Sequence, residues 1–196
     1  NKIPEKFKFN SLKSFKIKHP NKKEKNNCIQ ILYPIFKYSE LNALLVFALK
    51  LIADQPFFNK LRTQEQLGYL VRFGKIKVRD TYYISEKIQS DKNLNYIKEK
   101  IDIFNKEFNQ TLLNMDTNTW TNWKKTIKKE LKRRDESTYQ SFSKFYTEII
   151  SDDYKFNRNE LILKKLNELK LVDLQNVFKN KIYKSKNKLI LQIEGN

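Results

Sequence analysis

Between Leu94 and Met115 the apolar residues Leu94, Ile97, Ile101, Phe104, Phe108, Leu112 and Met115 recur at every third or fourth position. That spacing lays a single apolar stripe along a long amphipathic helix, which then needs an apolar surface to cover. Strand-like segments supply one. Over 28–35, Ile29, Ile31, Tyr33 and Ile35 alternate with Cys28, Gln30 and Leu32, the period of a half-buried strand. Segments 69–77 and 81–89 read as two antiparallel strands turning near 78–80, and Leu189, Leu191 and Ile193 form a closing strand.

The remaining segments are helical. Ser39 can cap a helix to about Asp54, Gln55-Pro56 starts a second to about Gln66, and Gly68 marks its end. Asp116 can cap the helix whose stripe is Trp120, Trp123, Ile127 and Leu131; Tyr139, Phe142, Tyr146 and Ile149 continue the pattern. Two shorter helices follow over 159–169 and 172–182. The order β-α-α-β-β-α-α-α-α-α-β predicts an α+β fold, a largely antiparallel sheet covered on one face by helices. The 3 Gly and 4 Pro in 196 residues agree with long regular elements. Residues 1–25 read as a basic lead-in holding a short strand at 15–18, and 26–196 as the domain proper. With no initiator Met at its start, the chain reads as a piece of a larger protein.

The formal net charge of +18 attracts polyanions or acidic peptides. The basic residues are scattered, with one cluster at Lys124, Lys125, Lys128, Lys129, Lys132, Arg133 and Arg134. This cluster falls largely opposite the apolar stripe, so it reads as a solvated face rather than a nucleic-acid module. The lone Cys28 excludes an internal disulfide and fits a reducing, cytoplasmic setting or an extracellular chain that needs no staple. The most apolar run, 41–52, is shorter than the roughly 20 residues of a membrane helix.

Arithmetic limits the chemistry. A zinc site needs three or four ligands, mostly with two or more His or Cys, and this chain has one of each, His19 and Cys28. One His also rules out the paired-His zinc helices. Ser141-Phe142-Ser143-Lys144 matches S-x-x-K without its partner motifs, and Asn109-Gln110-Thr111 is a sequon on the long helix. Nothing here cleaves a bond unaided.

One segment does not read as generic scaffold. Phe58-Asn59-Lys60-Leu61-Arg62-Thr63-Gln64-Glu65-Gln66-Leu67-Gly68-Tyr69-Leu70-Val71 resembles the F-x-x-L-R-T-x-E-Q-L-G-Y-x-V signature of the C-terminal half of insulin-degrading-enzyme and pitrilysin-type (M16) zinc metallopeptidases. About ten positions match in order. Asn26-Asn27-Cys28 before the first strand, Ile88-Gln89-Ser90 before the long helix, and Glu148-Ile149-Ile150 followed by Tyr154-Lys155-Phe156-Asn157-Arg158 agree too, so the resemblance spans roughly 26–194.

The resemblance implies a definite role. Such enzymes are two bowl-shaped halves around a chamber, with zinc held in the N-terminal half. The segment like this one comes from the last domain of the C-terminal half, which faces the metal and has none of its own. The partners implied are that N-terminal catalytic half and peptide substrates. Arg62 would hydrogen-bond a substrate carbonyl near the scissile bond. Tyr69 would place its phenol against the oxygen that becomes negative in the tetrahedral intermediate. Thr63, Glu65 and Gln66 would support the turn. The ordinary alternatives are a Tyr69 half-buried in packing and an Arg62 paired with Glu65 three residues on. The competing functional class is a metal-free docking subunit of the same fold, and a third reading is a basic nucleic-acid-binding domain.

Overall fold

The computed structural model describes residues 11–150 and 153–196; the first ten residues of the lead-in lie outside it. Five strands form one sheet in the order β1-β5-β2-β4-β3, with β1 Lys13–Lys18, β2 Asn27–Lys37, β3 Leu70–Val78, β4 Thr81–Ser90 and β5 Leu189–Glu194. Four strands pair antiparallel; β1 alone is parallel, against β5. The short strand expected at 15–18 thus begins at Lys13 and joins the domain's sheet as an exposed edge. At the β3–β4 turn, Arg79 takes φ 54°, within the expected 78–80.

The alternation read in β2 is the burial pattern: Ile29, Ile31, Tyr33 and Ile35 are buried, and the residues between them only partly so. Helices pack on the buried face, as an α+β layer requires. α2, Leu94–Leu113, is capped by the Asn93 side chain accepting from the Tyr96 N–H at 2.8 Å, and it buries the stripe from Leu94 to Leu112. α3, Thr117–Leu131, has the expected Asp116 cap, which accepts from the Thr119 N–H at 2.8 Å. It buries Ile127 and Leu131, while Lys125, Lys128, Lys129 and Lys132 are exposed.

One helical reading needs correction, and two others gain detail. The two helices expected over 39–66 are one. α1, Glu40–Phe58, runs through Pro56 and continues into a π-helical segment, Asn59–Gln64. Burial of Ile52, Ala53, Phe57 and Leu61 along one side outweighs the single N–H that Pro56 cannot supply. Extended this way, 40–64 is long and apolar enough to cross a bilayer by length and composition, and half of its most apolar stretch is buried in the fold. The stripe of α4, Thr138–Ile150, does not enter the core. Tyr139, Phe142, Tyr146 and Ile149 are exposed, with Phe142 stacked on Tyr146 at 5.6 Å. The last helical region is α5 Arg158–Lys164 and α6 Leu171–Val177, the latter continuing into a second π-helical segment, Phe178–Tyr183.

A row of rings joins the layers: Phe73, Phe57, Phe104, Phe108 and Phe178 lie with successive centroids 5.0–5.6 Å apart. The segment after α4 is tied to the sheet end by charge. Arg158 donates to Glu148 at 2.7 Å and to Asp153 at 2.8 Å. Lys77, Lys155 and Arg158 all stand over the Tyr38 ring, at 5.0, 4.3 and 4.8 Å. The residues singled out at 148–158 therefore form a structural clamp.

Glu86 breaks the apolar pattern. It sits on the helix-facing side of β4, opposite Ile31 of β2 and Phe73 of β3, and is wholly buried. Its Oε2 accepts from the Tyr33 hydroxyl at 2.9 Å and from the Asn105 amide of α2 at 3.3 Å. Desolvation raises its pKa to about 8, against the lowering pull of those two hydrogen bonds. Among the described residues the Glu86 Oε1 and Asn105 Oδ1 atoms have no hydrogen-bond partner.

Candidate functional site

The signature segment is built at the junction of α1, β3 and α2. The π-helical segment widens the last turn of α1, and such insertions redirect side chains. Leu61 and Leu67 are fully buried and anchor the segment at both ends, and the Leu67 N–H closes onto the Leu61 carbonyl at 3.0 Å. Between them Gln66 adopts φ 52° and Gly68 φ 133°. Gly68 lies hard against β4: a Cβ there would stand 2.3 Å from the Gln89 carbonyl oxygen and 2.9 Å from the Ser90 Cα. Only glycine combines that backbone angle with that approach. The chain leaves Gly68 outward, and Tyr69 is 91% exposed.

Arg62, on the π-helical segment, is half-buried. It lines an open hollow of about 590 Å³ together with Phe58, Thr63 and Gln66. Tyr69 does not line this hollow, so the two motif donors flank one turn rather than share a cavity. Among the described residues no hydrogen bond or ion pair engages the Arg62 guanidinium or the Tyr69 hydroxyl. Both ordinary alternatives fail here: Tyr69 is not packed, and Glu65 belongs to another cation. Lys100 of α2 holds Glu65 Oε2 at 2.7 Å, and this hydrogen bond raises the Lys100 pKa. A second pair, Lys60 with Glu107 at 3.1 Å, ties the segment to the same helix.

Lys100 went unmarked in the sequence, where nothing separates one lysine of α2 from its neighbours. Its position, on the helix surface toward Glu65 and 5.2 Å from the Tyr96 ring, emerges only in the fold. Neither His19 nor Cys28 contributes to this site. His19 Nδ1 accepts from the Asn21 N–H at 3.2 Å in the lead-in, and Cys28 lies on β2. Among the described residues no three His, Cys, Asp or Glu side chains are grouped to hold a metal ion. Asn109, of the sequon, is buried on α2.

The architecture is that of an M16-type peptidase domain. Pitrilysin superposes over 95% of this chain with a TM-score of 0.79 at 17% identity, the match taking up 20% of the pitrilysin chain. Residues 48–146 match the family described as PQQ synthase PqqF-like, C-terminal lobe domain 4, and the chain belongs to it. It is similar to the insulin-degrading enzyme of Drosophila melanogaster, 27% identical over 87% of this chain and 17% of that protein. It is similar also to the A-factor-processing enzyme of Saccharomyces cerevisiae, 28% identical over the same shares. The chain therefore spans about a sixth of the length of these relatives.

Proposed function

We propose that this chain is the C-terminal domain of an insulin-degrading-enzyme-like zinc metalloendopeptidase, where it lines a closed chamber, binds peptide and stabilises the tetrahedral intermediate. The observation that carries the reading is the pair of unengaged donors in the signature, Arg62 and Tyr69, on a turn that Gly68 and Leu67 hold rigid. Arg62 donates to a substrate backbone carbonyl. Tyr69 donates its phenolic proton to the oxygen as negative charge develops there. Donors already in place lower the barrier without reorganisation, and removing one costs roughly 10²–10³ in kcat in the best measured case. Among the described residues no group of side chains fits a zinc site. In this reading the metal, named for the zinc proteases among the relatives, is held by the N-terminal half of the parent polypeptide, which is the partner of this domain.

The test compares zinc-dependent cleavage of a quenched fluorescent peptide by this chain, by the parent polypeptide and by the parent carrying Tyr69→Phe. The chain alone is expected to be silent. Tyr69→Phe is expected to lower kcat at least tenfold, with the smaller effect in KM. An inactive parent with zinc supplied would leave the docking-subunit reading in its place.

The +18 charge bears on substrate choice. A basic wall favours peptides with acidic segments and disfavours cationic ones. Matched acidic and basic peptides are expected to differ in kcat/KM at low ionic strength, the gap narrowing as salt is added. Equal rates insensitive to salt would refute the preference.

A further inference from the structure

Arg62 and Glu65 stand at the spacing where a guanidinium and a carboxylate on a helix ordinarily pair. They do not pair here: Arg62 lies in the π-helical segment, Glu65 follows it as its C-cap, and Glu65 is occupied by the Lys100 ammonium at 2.7 Å, with both side chains about four-fifths buried. α2 is a firm support for that ammonium, since the flanking residues Ile97, Ile101 and Phe104 are buried in the core.

We propose that Lys100 is a positioning residue that keeps Arg62 available to substrate by sequestering Glu65, the carboxylate three residues on along the chain. The inference rests on the peptidase reading for its effect on catalysis, but its structural half stands on this chain alone. Without Lys100, Glu65 is a largely buried carboxylate with no cation, and such a group takes the nearest one available. Arg62 is the stronger competitor for it, because its planar fork binds a carboxylate bidentately. The guanidinium would then be spent inside the domain.

The experiment has two arms. In the parent polypeptide, Lys100→Met is expected to reduce kcat/KM about tenfold, close to the loss from Arg62→Ala. The double variant Lys100→Met with Glu65→Gln is expected to recover most of it, because no carboxylate remains to hold Arg62. A role for Lys100 in folding alone would give no such recovery, and that result would overturn the proposal. So would an unimpaired Lys100→Met beside a damaged Arg62→Ala. A harmless Arg62→Ala would instead sink the peptidase reading of Arg62. In the second arm, ¹⁵N NMR of this chain follows the Arg62 Nε–H. Its exchange with water is expected to slow in Lys100→Met and to return to the wild-type rate in the double variant. Unchanged exchange in Lys100→Met, with the fold intact by circular dichroism, would overturn the proposal independently of any activity.

Discussion

Replacing Glu86 by glutamine is expected to remove a steep loss of stability that the wild-type domain suffers as pH rises above about 5. The pKa of Glu86 is raised by burial from 4.5 to about 8 in the folded protein. The folded state therefore holds a proton that the unfolded chain gives up. For a group shifted upward, the stabilising contribution is complete below the unfolded pKa and is lost as pH climbs to the folded one. The window is accordingly pH 4.5 to 8, and a displacement of that size corresponds to on the order of 4–5 kcal/mol. The geometry agrees with a protonated acid. Tyr33 and Asn105 both donate to Oε2, while Oε1 and the Asn105 carbonyl oxygen are buried acceptors with no donor between them. A proton on Oε1 supplies the donor this site lacks. Glutamine carries that donor permanently. Urea unfolding of both proteins from pH 5 to 9 is the check. The two are expected to be similar at pH 5, with Glu86→Gln more stable by several kcal/mol at pH 9. Parallel curves across that range would mean that Glu86 is ionised and paired in the fold.

The second large effect is expected at Gly68. Alanine there meets the Gln89 carbonyl oxygen at 2.3 Å and must hold φ near 133°. Backbone strain of about 1–3 kcal/mol and a similar packing penalty should add, because the clash is with main chain that cannot swing aside. A loss of roughly 2–6 kcal/mol by urea unfolding is expected. In the parent polypeptide the loss of activity should exceed what stability explains, since Tyr69 leaves the turn from this residue. A loss below about 1 kcal/mol would show that the turn relaxes freely and does not aim Tyr69.

The regular elements were legible because their signal is local. Periods of two and of three to four residues mark which side of a strand or helix seeks cover, and the stripes of β2 and α2 are buried as their spacing predicts. Caps are local too: Ser39, Asp116 and the turn at Arg79 were readable within four residues of chain. The break expected at Gln55-Pro56 was misread because proline's local cost was weighed without the burial of Phe57 and Leu61, which comes from α2 and β3. The stripe of α4 was read correctly as a pattern, yet a pattern does not say whether its cover lies within the same chain. Glu86 gave no warning, since one acidic residue in an alternating strand looks like any solvent-side position.

The signature of Arg62 and Tyr69 was likewise visible in the linear order of residues. Its meaning as a free pair of donors was not, because freedom depends on what else occupies the neighbouring carboxylate. Sequence alone determined the α+β layering, the long helices and the identity of the signature turn, all of which follow from neighbours within a few positions. Tertiary structure alone decided that Lys100 takes Glu65, that Glu86 is sealed beneath α2, and that Tyr69 points outward. Those outcomes depend on side chains brought together from distant parts of the chain, and competition among many similar lysines and carboxylates is settled only by distance and burial in the folded state.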